Sequence, residues 1–274
     1  IVIEYIKSSE YETGTWVTPT QTKDGDVIEI TGLPEDPLNT NKYTLRAVSG
    51  DVKAENELEI TTEVAADVDN ADFEDWHYTT EQRKFLLESL IKKYTCYRYF
   101  PSLKNAQDVW WATNNACSMQ ANSWGADRAT SCSSVSYVYN TDGTKAAELR
   151  STSGGGYAHS SSVMVDDGIF PGMLFIGAYD WNGSSGTVSG GHTFTSRPLS
   201  LTFQYKYTPF DTDEFKAYIE IQNRAEGEMK ILASGTLTKS QNTPDTEYQN
   251  GIIHLSYNED YKSLKATHIY IHFW

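Results

Sequence analysis

From Pro198 to Thr208 the chain alternates with period two. Leu199, Leu201, Phe203, Tyr205 and Tyr207 fall on one side, and Ser200, Thr202, Gln204, Lys206 and Thr208 on the other. Successive side chains of a strand point to opposite faces, so this pattern is a half-buried β-strand. Arg197-Pro198 stands at its entrance, where a missing N–H costs no ladder bond. EFKAYIEIQN, GEMKILASGTLTK, NGIIHLSY and KATHIYIHFW follow and are strand-like too. The C-terminal two thirds therefore reads as one antiparallel β-sandwich built around this strand. The face from Leu199 to Tyr207 is expected to be buried between two sheets, leaving Gln204 and Lys206 outward.

Charge narrows the partners. With 37 acidic and 22 basic residues the formal charge is −15. Nucleic acid needs Lys and Arg to displace counterions, and anionic membranes and polyanionic glycans are disfavoured on the same ground. A neutral partner, or one recruited through a divalent cation, stays open. No apolar run of about 20 residues marks a membrane span. No signal peptide is present, but the chain opens inside a strand at Ile1, so a leader removed upstream is compatible with it.

The chain before residue 64 reads as a small sandwich of its own. IVIEYI, TGTWVTPT and KDGDVIEI are strands, the last spanning an Asp24-Gly25 turn. Gly32-Leu33-Pro34 with Tyr43, Leu45, Arg46 and Val48 resembles the fibronectin type III pattern, in which a Tyr hydroxyl ties the corner. Trp16 sits where such domains often carry a Trp. The resemblance implies a partial fibronectin/immunoglobulin-like domain over residues 1–63, its first two strands missing. Residues 64–72 are acidic and aperiodic, and read as a linker. A helix is expected from Thr79 to Tyr94: Thr79 and Gln82 form a capping box, and Leu86, Leu87, Leu90 and Ile91 make an apolar stripe.

The second part resembles the putative carbohydrate metabolism domain family, found in surface lipoproteins of Gram-negative gut bacteria. FEDW at 73–76, WWATNN at 110–115, AELRST at 147–152, GMLFIGAY at 172–179 and FTSRPLSLTFQYKYTP at 194–209 carry the resemblance. It implies an all-β, galactose-binding-like jelly roll over residues 73–274, with a last family strand missing after Trp274. It also implies export to the outer membrane, cell surface or periplasm, lipid anchoring upstream, and outer-membrane partner proteins for polysaccharide utilisation. It carries no catalytic residues over. In related carbohydrate-binding modules an early Glu shares calcium, which makes Glu74 a structural calcium ligand on this reading; no other cofactor is implied.

The chemistry must then be found in the residues. No P-loop, nucleophile elbow or zinc-protease motif is present. Cys96, Cys117 and Cys132 form no C-x-x-C pair, and buried, unreactive thiols are preferred over one disulfide plus a free thiol. His268 and His272 would lie roughly 13 Å apart on a strand at about 3.3 Å per residue, too far to share one zinc. Solvated or outer-face positions are expected for them and for His254.

Aromatic–amide clusters are the stronger signal, because sugars present C–H faces rimmed by hydroxyls. Trp111 with Asn114 and Asn115, and Tyr179, Asp180, Trp181 and Asn182, have that composition. In the first cluster a core role competes, since Trp110 and Trp111 must face opposite ways. Trp181, beside Gly183-Ser184-Ser185-Gly186, is expected to be an exposed ligand contact. The sequence thus points to non-catalytic binding of a neutral poly- or oligosaccharide. A glycoside hydrolase and a structural or adhesion module are the alternatives. A hydrolase would need two carboxylates about 5 to 9 Å apart.

Overall fold

A computed structural model describes residues 1–34, 41–62, 66–84, 93–122, 133–153, 169–182, 185–244 and 247–274. The chain divides into two compact units. One holds Ile1–Ala66 with Thr195–Arg197, the other Asp67–Phe194 with Pro198–Trp274.

In the first unit, strand β1 (Val2–Lys7) is followed by a hairpin of β2 (Thr20–Asp24) and β3 (Val27–Thr31). β4 (Lys42–Ser49) then pairs with both β1 and β5 (Val52–Thr61). Tyr43 is fully buried beside Tyr5, and its hydroxyl donates to the Pro34 carbonyl. Arg46 lies 3.9 Å over the Trp16 ring and donates to Glu4 at 2.7 Å.

The second unit opens with a hairpin of β6 (His77–Lys84) and β7 (Lys93–Phe100). β8 (Trp111–Thr113) leads into helix α1 (Asn115–Asn122). β9 (Val135–Tyr139) and β10 (Lys145–Leu149) form a second hairpin, and β11 (Thr152–Ser153) pairs with β12 (Ile169–Phe170). Next come β13 (Leu174–Trp181), β14 (Gly186–Gly190), β15 (His192–Thr193) and β16 (Ser200–Tyr205). β17 (Phe215–Asn223), β18 (Lys230–Lys239), β19 (Gln249–His254), β20 (Ser256–Tyr257) and β21 (His268–Phe273) complete the unit.

Eight of these strands make one sheet in the order β14-β13-β21-β17-β18-β20, with β15 on β21 and β8 on β13. Register sorts its faces. Leu174, Phe273 and Ala217 align, as do Ile271 with Ile219 and Ile269 with Ile221. All are buried on one face, called here the inner face. The β16–β19 ribbon supplies its cover: Phe203 meets Phe273 at 5.3 Å and Phe215 at 6.1 Å, and Tyr205 stacks on Phe215. A Cβ on Gly251 would lie 2.6 Å from the Phe203 ring, so a glycine there lets the ring lie flat on its neighbouring strand. The architecture is all-β and multi-sheet, as the alternation from Pro198 predicts.

Three expectations need correction. The inner side of β16 is half-buried rather than fully buried, and Leu199 is 78% exposed, because it precedes the first residue of the strand. The expected helix is not formed over its described parts: Thr79–Lys84 and Lys93–Tyr94 belong to antiparallel strands. Its apolar stripe at 86–91 lies outside the described residues. The alternation of Tyr97 and Tyr99 against Cys96, Arg98 and Phe100 wins locally, since aromatic residues suit a pleated, half-buried surface. Finally, Cys96 is disulfide-bonded. Among the described residues Cys117 matches the thiol reading: it is free and buried, and burial pushes its thiol up to about 11, so it stays protonated. Cys132 lies outside the described residues.

Candidate functional site

The opposite face of the large sheet carries polar and aromatic side chains. β17 sends Tyr218, Glu220 and Gln222 there, directly across from His272, Tyr270 and His268 of β21. Ser234 and Thr236 of β18 flank the row on its other side. The period-two pattern that buries Ile219 and Ile221 on one side must present these residues on the other.

The row is wired along the strand. Tyr218 donates to one oxygen of Glu220, and Gln222 Nε2 donates to the other at 2.5 Å. Arg224 Nε donates to Gln222 Oε1 at 2.8 Å, and its Nη2 to the Gly190 carbonyl at 2.5 Å. A Cβ on Gly190 would lie 2.7 Å from the Tyr270 ring, so glycine lets that ring settle over the adjoining strand. The Tyr218 and Tyr270 rings meet edge to face at 6.3 Å. Tyr270 hydroxyl contacts His272 Nδ1 at 3.1 Å, and His272 packs on Trp274 at 4.4 Å.

A separate cluster lies around β15. Trp110 stacks on His192 with ring centres 4.1 Å apart, and His192 Nε2 meets Asp108 at 2.8 Å. Trp110 is the half-exposed member of the tryptophan pair; Trp111 is the buried one.

Burial, followed by the Glu220 hydrogen bond, raises the Tyr218 phenol, and burial with the Glu220 charge raises Tyr270. Burial lowers His268, helped by Arg224, and brings His272 down to about 4. These phenols and imidazoles are neutral at pH 7, which suits uncharged hydroxyls.

The His272 value fixes a pH dependence. Between its ordinary value near 6.5 and about 4, the unfolded chain binds the proton and the folded chain does not. Stability is therefore present above pH 6.5 and lost as pH falls toward 4, by about 2 kcal/mol at pH 5. Melting curves from pH 7 to 4.5 should show the loss, and a His272→Phe variant should show less of it. An equal slope in both would remove His272 as the cause. His272 takes the outer-face position expected of it but is not solvated: its Nε2 is buried without a hydrogen-bond partner. His254 is exposed, as expected.

The first aromatic–amide cluster serves the fold. Trp111 is buried against Phe73 and Phe273, its indole N–H donating to the Asp69 carbonyl at 2.8 Å. Asn114 donates to the Pro171 carbonyl and accepts from Ser134 and from the Met173 amide. Asn115 donates to the Tyr99 and Val135 carbonyls and accepts from the Val135 amide. All three residues are buried and offer no surface to a glycan.

The second cluster is split by the strand. Trp181 ends β13 half-buried and shares a face with Tyr179, while Asp180 is exposed on the opposite side. Asn182 is exposed, and its side chain bonds Ser185 Oγ and the Ser185 amide. Trp181 is thus a strand residue rather than a loop residue, and Asp180 does not sit beside it. Tyr179 lies near Cys117, and burial raises its phenol. Glu74, expected to ligate calcium, accepts the Lys145 amide at 2.7 Å. Among the described residues no group of three or more His, Cys, Asp or Glu could hold a metal ion.

Glu220, Tyr218, Gln222, Arg224 and Tyr270 were not singled out by sequence. For all but Arg224 the signal was available in EFKAYIEIQN and HIYIHFW, where the polar members recur at period two.

The chain belongs to the putative carbohydrate metabolism domain family, whose model matches residues 72–254. No curated protein matches it. Among solved structures it is similar to a putative glycoside hydrolase from Bacteroides vulgatus ATCC 8482, with 14% identity and a TM-score of 0.46, over 73% of this chain and 87% of that one. It is also similar to a putative glycoside hydrolase from Bacteroides thetaiotaomicron VPI-5482, with 16% identity and a TM-score of 0.46, over 85% and 70%. Likeness at this level carries no argument about activity.

Proposed function

We propose that this domain binds an uncharged glycan on the Tyr218–Glu220–Tyr270 face of its large sheet, without cleaving it; Gln222 is buried and orients Glu220 rather than touching the ligand. One observation carries the reading. Across the eight strands of the sheet the carboxylates are Asp180 and Glu220, and alternation sends them to opposite faces. Glycoside cleavage needs a pair flanking one bond; a lone Glu among neutral phenols, imidazoles and amides suits hydroxyl recognition instead. The Tyr270 and Trp274 rings supply the apolar surface for a pyranose face. Trp181 and Tyr179 are a further contact on the same side of β13.

The jelly-roll topology is proposed with this reading. For the first unit we propose an immunoglobulin- or fibronectin-like identity, supported by the Tyr43 tie to Pro34. The Cys96 disulfide supports export to an oxidising compartment, with the cell surface as the site of action.

Hydrolysis is the second reading. The Glu220 carboxylate is already held by a phenol donor, so a loop carboxylate opposite it would complete a catalytic pair. Both readings meet one experiment. The chain is titrated with oligosaccharides from starch, galactomannan, arabinoxylan and mixed-linkage β-glucan, and reducing ends are counted after prolonged incubation. Glu220→Gln and Tyr270→Ala should each weaken binding at least about tenfold, the scale of one well-placed contact, with folding retained. Reducing ends released by the wild type and abolished by Glu220→Gln would replace binding with hydrolysis. Binding lost in Trp181→Ala but kept in both sheet variants would move the site to the β13 end.

A further inference from the structure

A second aromatic surface lies on the two hairpins, sharing no residue with the sheet face. Register puts Tyr78 and Thr80 of β6 on one face with Tyr99 and Tyr97 of β7. Tyr97, Tyr99, Tyr137 and Tyr139 follow one another with ring centres 6.3, 5.8 and 5.5 Å apart, and Tyr78 packs against the first two. A cluster of this size would be core in most domains. Here Tyr139 is 67% exposed, Tyr78 52% and Tyr97 42%.

Rings left in water forfeit burial worth about 25 cal/mol per Å², and exposed aromatic patches mark interaction sites. The chemistry of the patch selects the occupant. Burial raises Tyr99, and a Tyr139 hydrogen bond raises Tyr137, so these phenols stay protonated. Gln82 and Thr95, bonded to each other at 2.7 Å, add an amide and a hydroxyl beside them. The described part of the row thus offers ring faces and neutral hydrogen-bonding groups beside a cation, Lys145, which lies opposite Tyr139 with its ammonium 5.5 Å from the Tyr137 ring and bonded to the Glu74 carbonyl, on a chain of charge −15 that repels polyanions.

We infer that the tyrosine row is a second binding surface, one that holds an extended, uncharged polysaccharide chain by stacking along consecutive rings. The inference rests on the glycan-binding reading above and extends it: the sheet face takes a short segment, and the tyrosine row holds the continuing polymer. Two sites on one domain would raise affinity for long chains through effective concentration, with no new contact at the first site.

The test separates the two sites by ligand length. The full chain, a Tyr78→Ala/Tyr97→Ala/Tyr139→Ala variant and Glu220→Gln are run through native gels containing starch, galactomannan, arabinoxylan or mixed-linkage β-glucan. The same proteins are titrated with short oligosaccharides of each. Tyr139→Ala alone covers the case in which the triple variant does not fold, since its ring is the most exposed. The tyrosine variants should lose retardation by the long chain at least about tenfold, or at least about threefold for the single variant. Their oligosaccharide affinity should stay within about twofold, while Glu220→Gln loses it. Tyrosine variants retarded like the wild type would overturn the second surface and leave the sheet site standing. Concentration-dependent self-association abolished by the same substitutions would give the surface to a second copy of the chain. A wild type that binds none of these glycans would overturn both proposals.

Discussion

Asn115→Leu is expected to unfold the second unit on the order of 10 °C below the wild type. The side chain is 0% exposed, and its amide bridges two elements: the Tyr99 carbonyl of β7 and both backbone groups of Val135 in β9. Leucine is close in volume but offers no donor or acceptor. Each buried backbone group left unsatisfied costs about 1–3 kcal/mol, so the sum is about 4 kcal/mol, less whatever the carbonyls recover from neighbours. In a unit of this size each kcal/mol moves the melting temperature by about 2–4 °C. Asn250→Leu, at an exposed position of β19, is the control and should stay within about 1 °C. Equal melting of the two variants would show that Asn115 does not hold the hairpins together.

Phe203→Ala should cost about 3 kcal/mol, the lower end of the range for deleting a core phenylalanine. Its ring is half-buried, which argues against the upper end, but it contacts Phe273, Phe215 and Tyr205 within 6.1 Å. The cavity left behind would loosen the ribbon from the sheet. Chemical denaturation would read the change as a shifted midpoint with an unchanged slope. A change no larger than that of Leu199→Ala, at an exposed position, would mean the ribbon does not anchor the layer.

The strands after Pro198 were legible because alternation is a local signal: Phe203 and Tyr205 repeat at two whatever lies across from them. The hairpin of β6 and β7 was not. Thr79 and Gln82 satisfy a helix cap on paper, while the pairing of Tyr78 with Tyr99 is made across the hairpin and shows only in three dimensions. The short helix α1 was missed for the opposite reason, since NACSMQAN carries no apolar stripe of its own. Site residues followed the same rule. Composition drew attention to WWATNN and YDWN, yet composition does not tell a buried amide from an exposed one. Asn115 turned out to be a fastening between strands. Glu220 looked like one carboxylate among 37 acidic residues until register set it between Tyr218, Gln222 and Tyr270.

The chain of donors from Arg224 through Gln222 and Glu220 to Tyr218 has a consequence for how a ligand would be held. Each of these long side chains already has its rotamer fixed by the next, so little freedom remains to be lost when a sugar arrives, and ordering such side chains otherwise costs about 0.5–1.5 kcal/mol each. On the glycan-binding proposal the face would act as a stiff template: it should discriminate by the positions of hydroxyls and adapt poorly to a sugar with one hydroxyl inverted. The same linkage makes it brittle, because a substitution at Gln222 would remove one of the hydrogen bonds of Arg224 and one of those of Glu220 together, leaving the Gly190 and Tyr218 bonds. Selectivity and fragility at this surface would then have a single origin, and would be altered together.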